Sequence, residues 1–154
     1  MAFLHEGEMA PDFTLPKSGG GMLSLHDLRG KDVVLYFYPQ DDTSGCTTQA
    51  CALRDIHPQL TGANAVVLGV SPDDVPSHDR FIDKYHLPFI LLADVGHEIA
   101  ETYGAWTERN VYGKTFMGIQ RSTYLIGPDG RIKRVWEKVK AADHADLVLE
   151  ALKS

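Results

Sequence analysis

Val33-Val-Leu-Tyr-Phe-Tyr-Pro39-Gln-Asp-Asp-Thr43-Ser-Gly-Cys46-Thr-Thr-Gln-Ala-Cys51 begins as an apolar run of β-branched and aromatic residues, the pattern of a buried strand. Pro39 ends that run, because proline lacks the N–H that a central strand needs. Asp41, Asp42, Thr43 and Ser44 then offer side-chain oxygens suited to turns and helix N-caps. Thr47 to Ile56 are all compatible with a helix. Cys46 is therefore expected in the first turn of a helix that follows a core strand.

That placement has chemical consequences. The first backbone N–H groups of a helix have no intrahelical partner. With the macrodipole they favour negative charge, and a cysteine among them is held as the nucleophilic thiolate. Residue type alone leaves a second reading open, in which Cys46 is a small buried hydrophobe, the common state of a free cysteine.

Cys51 follows five positions later, and the chain has two cysteines in all. On an ideal helix five residues rise about 7.5 Å and turn about 140°, which separates the Cα atoms by roughly 8–9 Å. A disulfide usually needs less than about 7 Å. A Cys46–Cys51 bond thus requires the first turns to unwind, as helix ends do locally. The spacing predicts a switch that is helical when reduced and locally unfolded when oxidised. Two unrelated core cysteines are the alternative.

Around this unit, Phe13–Leu15 and Met22–Ser24 flank a glycine-rich loop and read as a hairpin. Ser24 is placed to cap a short turn, Leu25 to Leu28, that Gly30 ends. The helix that carries Cys46 is expected to bend or stop near Pro58. Val66–Val70 is a second buried strand, and Phe81, Ile82 and Tyr85 recur at helical spacing up to His86. Phe89–Leu92 is a further strand, and Asp94 is placed to cap a helix to Tyr103, ended by Gly104. Residues 105–119 read as a looser region. Ser122–Ile126 and Arg131–Trp136 pair through a Pro-Asp-Gly turn. A last amphipathic helix carries Ala145, Val148, Leu149 and Leu152. Strands alternating with helices, then a hairpin and a terminal helix, indicate a mixed α/β layer architecture, expected as one domain over 1–154.

With 44% hydrophobic residues, 154 residues can bury a core without disulfide staples. A net charge of −6 argues against nucleic acid or an anionic membrane as partner. No apolar run approaches bilayer length, and Met-Ala-Phe-Leu-His-Glu lacks the basic-then-apolar pattern of a signal peptide. A close cysteine pair without an export signal suits a reducing, cytoplasmic compartment.

The motifs then become specific. Pro39-x-x-x-Thr43-x-x-Cys46 resembles the Pro-x-x-x-Thr/Ser-x-x-Cys active site of the peroxiredoxin family. The run from Tyr36 to Cys51 is similar to the bacterioferritin comigratory protein, or Q-type, branch, in which the resolving cysteine often lies five residues after the peroxidatic one. Gly113-Lys-Thr-Phe-Met-Gly-Ile-Gln-Arg121-Ser-Thr-Tyr-Leu-Ile126 resembles the segment carrying the family's active-site arginine, and Ala10-Pro-Asp-Phe-Thr-Leu15 its amino-terminal signature. Two departures stand out. Ser44 replaces a frequent proline, and Gln40 replaces a frequent lysine.

The resemblance implies a thioredoxin-like fold, with a central mixed sheet flanked by helices and an N-terminal β-hairpin. It implies a thiol peroxidase, with Cys46 peroxidatic, Cys51 resolving, and Thr43, Arg121 and Pro39 completing the site. Hydrogen peroxide and alkyl hydroperoxides are the implied substrates, and thioredoxin or a similar dithiol protein the reductant. The chain is expected to act as a monomer with no metal or organic cofactor, because sulfur carries the two electrons. Read by residue type alone, Thr43 is an N-cap and Arg121 a surface arginine.

Other residues read as structural. The seven histidines lie at no metal-ligand spacing from the cysteines. Ser71 lacks the second glycine of a nucleophile elbow. Asp41 and Asp42 read as turn and capping residues, and the basic stretch from Arg131 to Lys140 as a charged strand edge. A disulfide exchanger is disfavoured by the absence of Cys-x-x-Cys. A redox-sensing domain that uses the disulfide only as a switch remains the non-enzymatic alternative.

Overall fold

A computed structural model describes residues 3–153, so the first two residues of the amino-terminal segment and Ser154 lie outside the described residues. Chain order gives nine strands and four α-helices among them. β1 (Thr14–Pro16) and β2 (Met22–Ser24) form the expected hairpin, followed by a 3₁₀ turn at Leu25–Leu28. Then come β3 (Asp32–Phe37), α1 (Ser44–Gly62), β4 (Ala65–Ser71), α2 (Val75–Tyr85), β5 (Ile90–Ala93) and α3 (Glu98–Thr102). The chain ends with β6 (Trp106–Val111), β7 (Lys114–Ile119), β8 (Ser122–Ile126), β9 (Ile132–Trp136) and α4 (His144–Leu152).

Five strands make the central sheet, in the order β5-β4-β3-β8-β9. β3, β4 and β5 run parallel, β8 runs antiparallel to β3, and β9 runs antiparallel to β8, so the sheet is mixed. β3 sits at the centre with both faces covered. Val33, Leu35 and Phe37 join a cluster with Phe13, Val70, Tyr103 and Tyr124. Val34, Tyr36 and Tyr38 join the opposite cluster, which holds Cys46, Leu53, Phe81 and Val148. Two-sided burial explains why this strand is an unbroken apolar run rather than an alternating one. The basic residues of β9 lie on a sheet edge, as read from the sequence.

Three expectations need correction. α1 does not stop at Pro58 but runs through it to Gly62. Leu53 and Leu60, on either side of the proline, are fully buried, and Pro58 is exposed. Packing thus outweighs the one hydrogen bond that proline cannot donate. The stretch 105–119 is not loose. β6 and β7 pair in register from Trp106↔Ile119 to Val111↔Lys114. Tyr112 and Gly113 take φ of 54° and 77° at the turn, the left-handed values that two-residue hairpin loops require. Finally, the helix after Asp94 starts only at Glu98 and ends at Thr102. Asp94 still does the capping, accepting from the Ile99 and Ala100 N–H groups at 3.2 and 2.9 Å.

Candidate active site

β3 leaves the sheet at its carboxyl end and delivers the chain to α1, so Cys46 sits where ligand sites of open α/β sheets form. Tyr38 N–H still bonds to Val70 C=O at 3.0 Å, after which exposed Pro39 ends the pairing. Thr43 is the N-cap by its backbone, with its carbonyl accepting from Thr47 N–H at 2.8 Å. Its hydroxyl does not cap. Thr43 Oγ1 instead donates to the Gln40 carbonyl at 2.9 Å. With its proton committed there, the oxygen's lone pairs remain to accept a hydrogen bond from an incoming O–H.

Cys46 lies in the first turn of α1, as expected, and is 2% exposed. Arg121, in the short link between β7 and β8, reaches it across 75 positions of sequence. Arg121 Nη2 donates to Cys46 Sγ at 3.3 Å, and Nη1 donates to Gln49 Oε1. A guanidinium only donates, so Sγ is the acceptor, the role a thiolate fills best. Gln49 is fully buried one helical turn after Cys46, and it holds one arm of the fork while the other arm meets sulfur. The Arg121 carbonyl accepts from Val139 N–H at 3.0 Å, which fixes the backbone behind the fork. Gly45 leaves room for it: a Cβ there would lie 3.1 Å from Arg121 Nη2.

Cys51 is half-buried farther along the same unbroken helix, and both thiols are free. The pair is therefore in the reduced arrangement the spacing predicts. Behind Arg121, His144 is buried at the start of α4, with Nε2 2.7 Å from Thr123 Oγ1. Burial, reinforced by the Arg121 charge, pushes the His144 pKa down to about 3. His144 is thus neutral at physiological pH and adds no second charge to the site.

The structure joins Cys46 to Arg121 and brings Gln49 and Gly45 against that arginine. Thr43 flanks Cys46 at the helix start, and Pro39 stands at the far end of the same turn. Gln49 was missed in the sequence. Its signal was a polar residue three positions after Cys46 in an otherwise apolar helix face. Asp41 and Asp42 lie in a turn, as read, but not as caps. Neither caps α1. Asp41 is buried and Asp42 is ion-paired, and both bind α2. Asp41, Asp73 and His78 could hold a cation by proximity, but Asp41 Oδ2, Asp73 Oδ2 and both His78 nitrogens are already hydrogen-bonded within the protein.

Residues 7–135 match the model of the AhpC/TSA family. Peroxiredoxin Bcp of Bacillus subtilis is 46% identical over 147 residues, covering 96% of this chain and 94% of that protein. The structure of a Xylella fastidiosa PrxQ cysteine mutant superposes with a TM-score of 0.93 at 36% identity, covering 99% of this chain and 98% of that one. The Xanthomonas campestris bacterioferritin comigratory protein, studied for alkyl peroxide reduction in trapped intermediate and ligand complexes, gives a TM-score of 0.87 at 42% identity, covering 92% and 90%. A helix-borne cysteine met by a distant arginine, on a thioredoxin-like sheet and with relatives of this kind along nearly its whole length, places the chain in the AhpC/TSA family, among its Bcp and Q-type peroxiredoxins.

Proposed function

We propose that Cys46 is the peroxidatic cysteine of a thiol peroxidase and Cys51 its resolving partner. The observation that carries this is the Arg121 Nη2 contact to Cys46 Sγ at 3.3 Å in the first turn of α1. The Cys46 thiolate attacks one peroxide oxygen. The O–O bond breaks, the other oxygen leaves and takes a proton as water or alcohol, and Cys46 becomes a sulfenic acid. Charge passes from sulfur to the departing oxygen, and the Arg121 donors are aimed at the place where it develops. The Thr43 hydroxyl accepts a hydrogen bond from the peroxide O–H and orients the O–O bond. Pro39 fixes the turn and limits water around the thiolate.

Cys51 then attacks the sulfenic sulfur after the first turns of α1 open. The S–S bond forms and water leaves. A dithiol protein, thioredoxin or one like it, restores both thiols through a mixed disulfide and is itself oxidised. Hydrogen peroxide and small alkyl hydroperoxides are the proposed substrates. The relative's alkyl peroxide chemistry supports the second class. One chain supplies both cysteines, so the reading is of a monomer. A cycle that must be reset by dithiols suits the cytoplasm. No helix among the described residues is long and apolar enough to cross a membrane.

The test is stopped-flow tryptophan fluorescence on mixing reduced protein with hydrogen peroxide, with thiols counted before and after. The expected result is a fast change, loss of both thiols and an intramolecular disulfide. Cys51→Ser should consume one equivalent of peroxide and then fail to recycle. Full turnover by Cys46→Ser would end the reading.

A further inference from the structure

Two adjacent aspartates in the turn before Cys46 have no part in the chemistry above, yet both reach α2. The Asp41 carboxylate is buried at the amino end of that helix. It accepts from Tyr38 Oη at 2.5 Å and from Ser77 Oγ at 2.8 Å, and it lies 2.7 Å from His78 Nδ1. Its backbone N–H donates to Asp73 Oδ2 at 2.8 Å. Asp42 reaches the other end. Lys84 Nζ donates to its Oδ2 at 2.8 Å and Tyr85 Oη to its Oδ1 at 2.9 Å. Its backbone takes φ of 57°, a left-handed conformation that non-glycine residues adopt at a cost. A third tie comes from α1, where Arg54 Nη1 donates to the Tyr85 carbonyl at 2.8 Å, about one turn beyond Cys51. α2 therefore grips the chain both before and after the cysteine pair.

We propose that Asp41 and Asp42 are positioning residues, through which α2 clamps residues 39–43 and sets how often the first turns of α1 unwind to bring Cys51 to Cys46. This rests on the peroxidase reading of the two cysteines. Opening must break the Thr47 N–H bond to Thr43 C=O and free the residues that follow. Downstream, Arg54 and buried Leu53 stay fixed on α2 and the sheet. Upstream, the two aspartates hold the chain in place, which narrows the conformations an unwound segment can adopt. The Asp42 contacts are the ones that yield. They are exposed, and releasing them lets φ return to the favourable region. Asp41, with its buried partners, stays.

The opened form is a minor state, so raising its population several-fold leaves the folded population nearly unchanged. Loosening the clamp should therefore speed disulfide formation without slowing attack on peroxide. A residue that merely stabilised the fold would not separate those two rates.

The variant is Lys84→Gln with Tyr85→Phe, which leaves the turn sequence intact and keeps the ring of residue 85 edge-on to Phe81. Hydrogen exchange of amides 45–51 is followed in the reduced protein, and both rate constants are measured after peroxide addition. Both contacts are exposed and so sit at or below the weak end of their usual range, which predicts about threefold to tenfold faster exchange and disulfide formation. The peroxide rate constant should stay within about twofold, and less sulfinic acid should accumulate at high peroxide. Lys84→Arg alone should keep near-normal values, and Ser77→Ala, which touches only the Asp41 contacts that persist on opening, should leave both rates near native. Unchanged exchange and unchanged disulfide formation overturn the proposal, as does faster exchange spread over α2 and the sheet. A native chain that ignores peroxide would strike down the peroxidase reading, while exchange at 45–51 would still judge the clamp.

Discussion

Replacing Arg121 by methionine removes the charge and keeps most of the stem, so it isolates what the guanidinium does for sulfur. Nη2 sits 3.3 Å from Cys46 Sγ. At an effective dielectric of about 20, a full charge pair at that distance is worth roughly 5 kcal/mol. The rate does not lose all of it. On the peroxidase reading, Arg121 favours the thiolate before reaction and the departing oxygen during it, and only the part gained beyond the reactants lowers the barrier. Removing one pre-aimed donor at a developing oxyanion typically costs about 10²–10³ in rate, or roughly 2.7–4 kcal/mol. We expect Arg121→Met to lower the second-order rate constant with hydrogen peroxide by that factor, measured by competition against a reference peroxidase. Arg121→Lys should recover only part of it. A point charge cannot meet Gln49 Oε1 and Cys46 Sγ with a planar fork, as Arg121 does. A rate constant for Arg121→Met within threefold of the native value would refute the reasoning.

Three further outcomes follow from particular contacts. The His144 pKa is about 3 in the folded chain against 6.5 as the ordinary value, so stability is full above about pH 6.5 and falls as the unfolded chain gains a proton that the folded one refuses. The whole gap is worth roughly 5 kcal/mol, and about 2 kcal/mol of it should vanish between pH 7 and pH 5. Urea titrations at the two pH values should show that loss in the native chain and not in His144→Gln; equal losses would exclude it. A Cβ at Gly69 would lie 2.7 Å from Leu91 Cδ2 and 2.8 Å from Tyr36 Cζ. Gly69→Ala should thus overpack the core by about 1–3 kcal/mol and lower the Tm by about 3–10 °C. An unchanged melting curve would show that Tyr36 moves aside freely. At Gly45 the added Cβ presses on Arg121 Nη2 at 3.1 Å. Gly45→Ala should keep the fold but slow the peroxide reaction by about tenfold, part of the Arg121→Met effect, and a native rate would mean the fork accommodates the methyl.

The sequence by itself determined every element whose burial is written locally. β3 was legible because both its faces are covered, so every residue after Asp32 is apolar. The placement of Cys46 was legible because a strand, a proline, a cap and a helix follow one another within a few positions. The unwinding needed for a Cys46–Cys51 bond followed from helix geometry alone. The β6–β7 hairpin was not legible: its strands are half-exposed and mixed in polarity, so neither period stands out. Continuation of α1 past Pro58 was decided by Leu53 and Leu60 against the sheet, a tertiary effect that local propensity cannot report.

The site divides in the same way. Cys46 and the N-cap residue Thr43 are neighbours in sequence, and local chemistry places them together. Arg121 meets Cys46 across 75 positions and Gln49 across 72, and Asp41 meets His78 across 37. Those pairings exist only once β8 lies beside β3 and α2 packs over the turn. Residue type in one segment says nothing about which group of another will face it, because the partners are chosen by strand order and helix packing rather than by their neighbours in the chain.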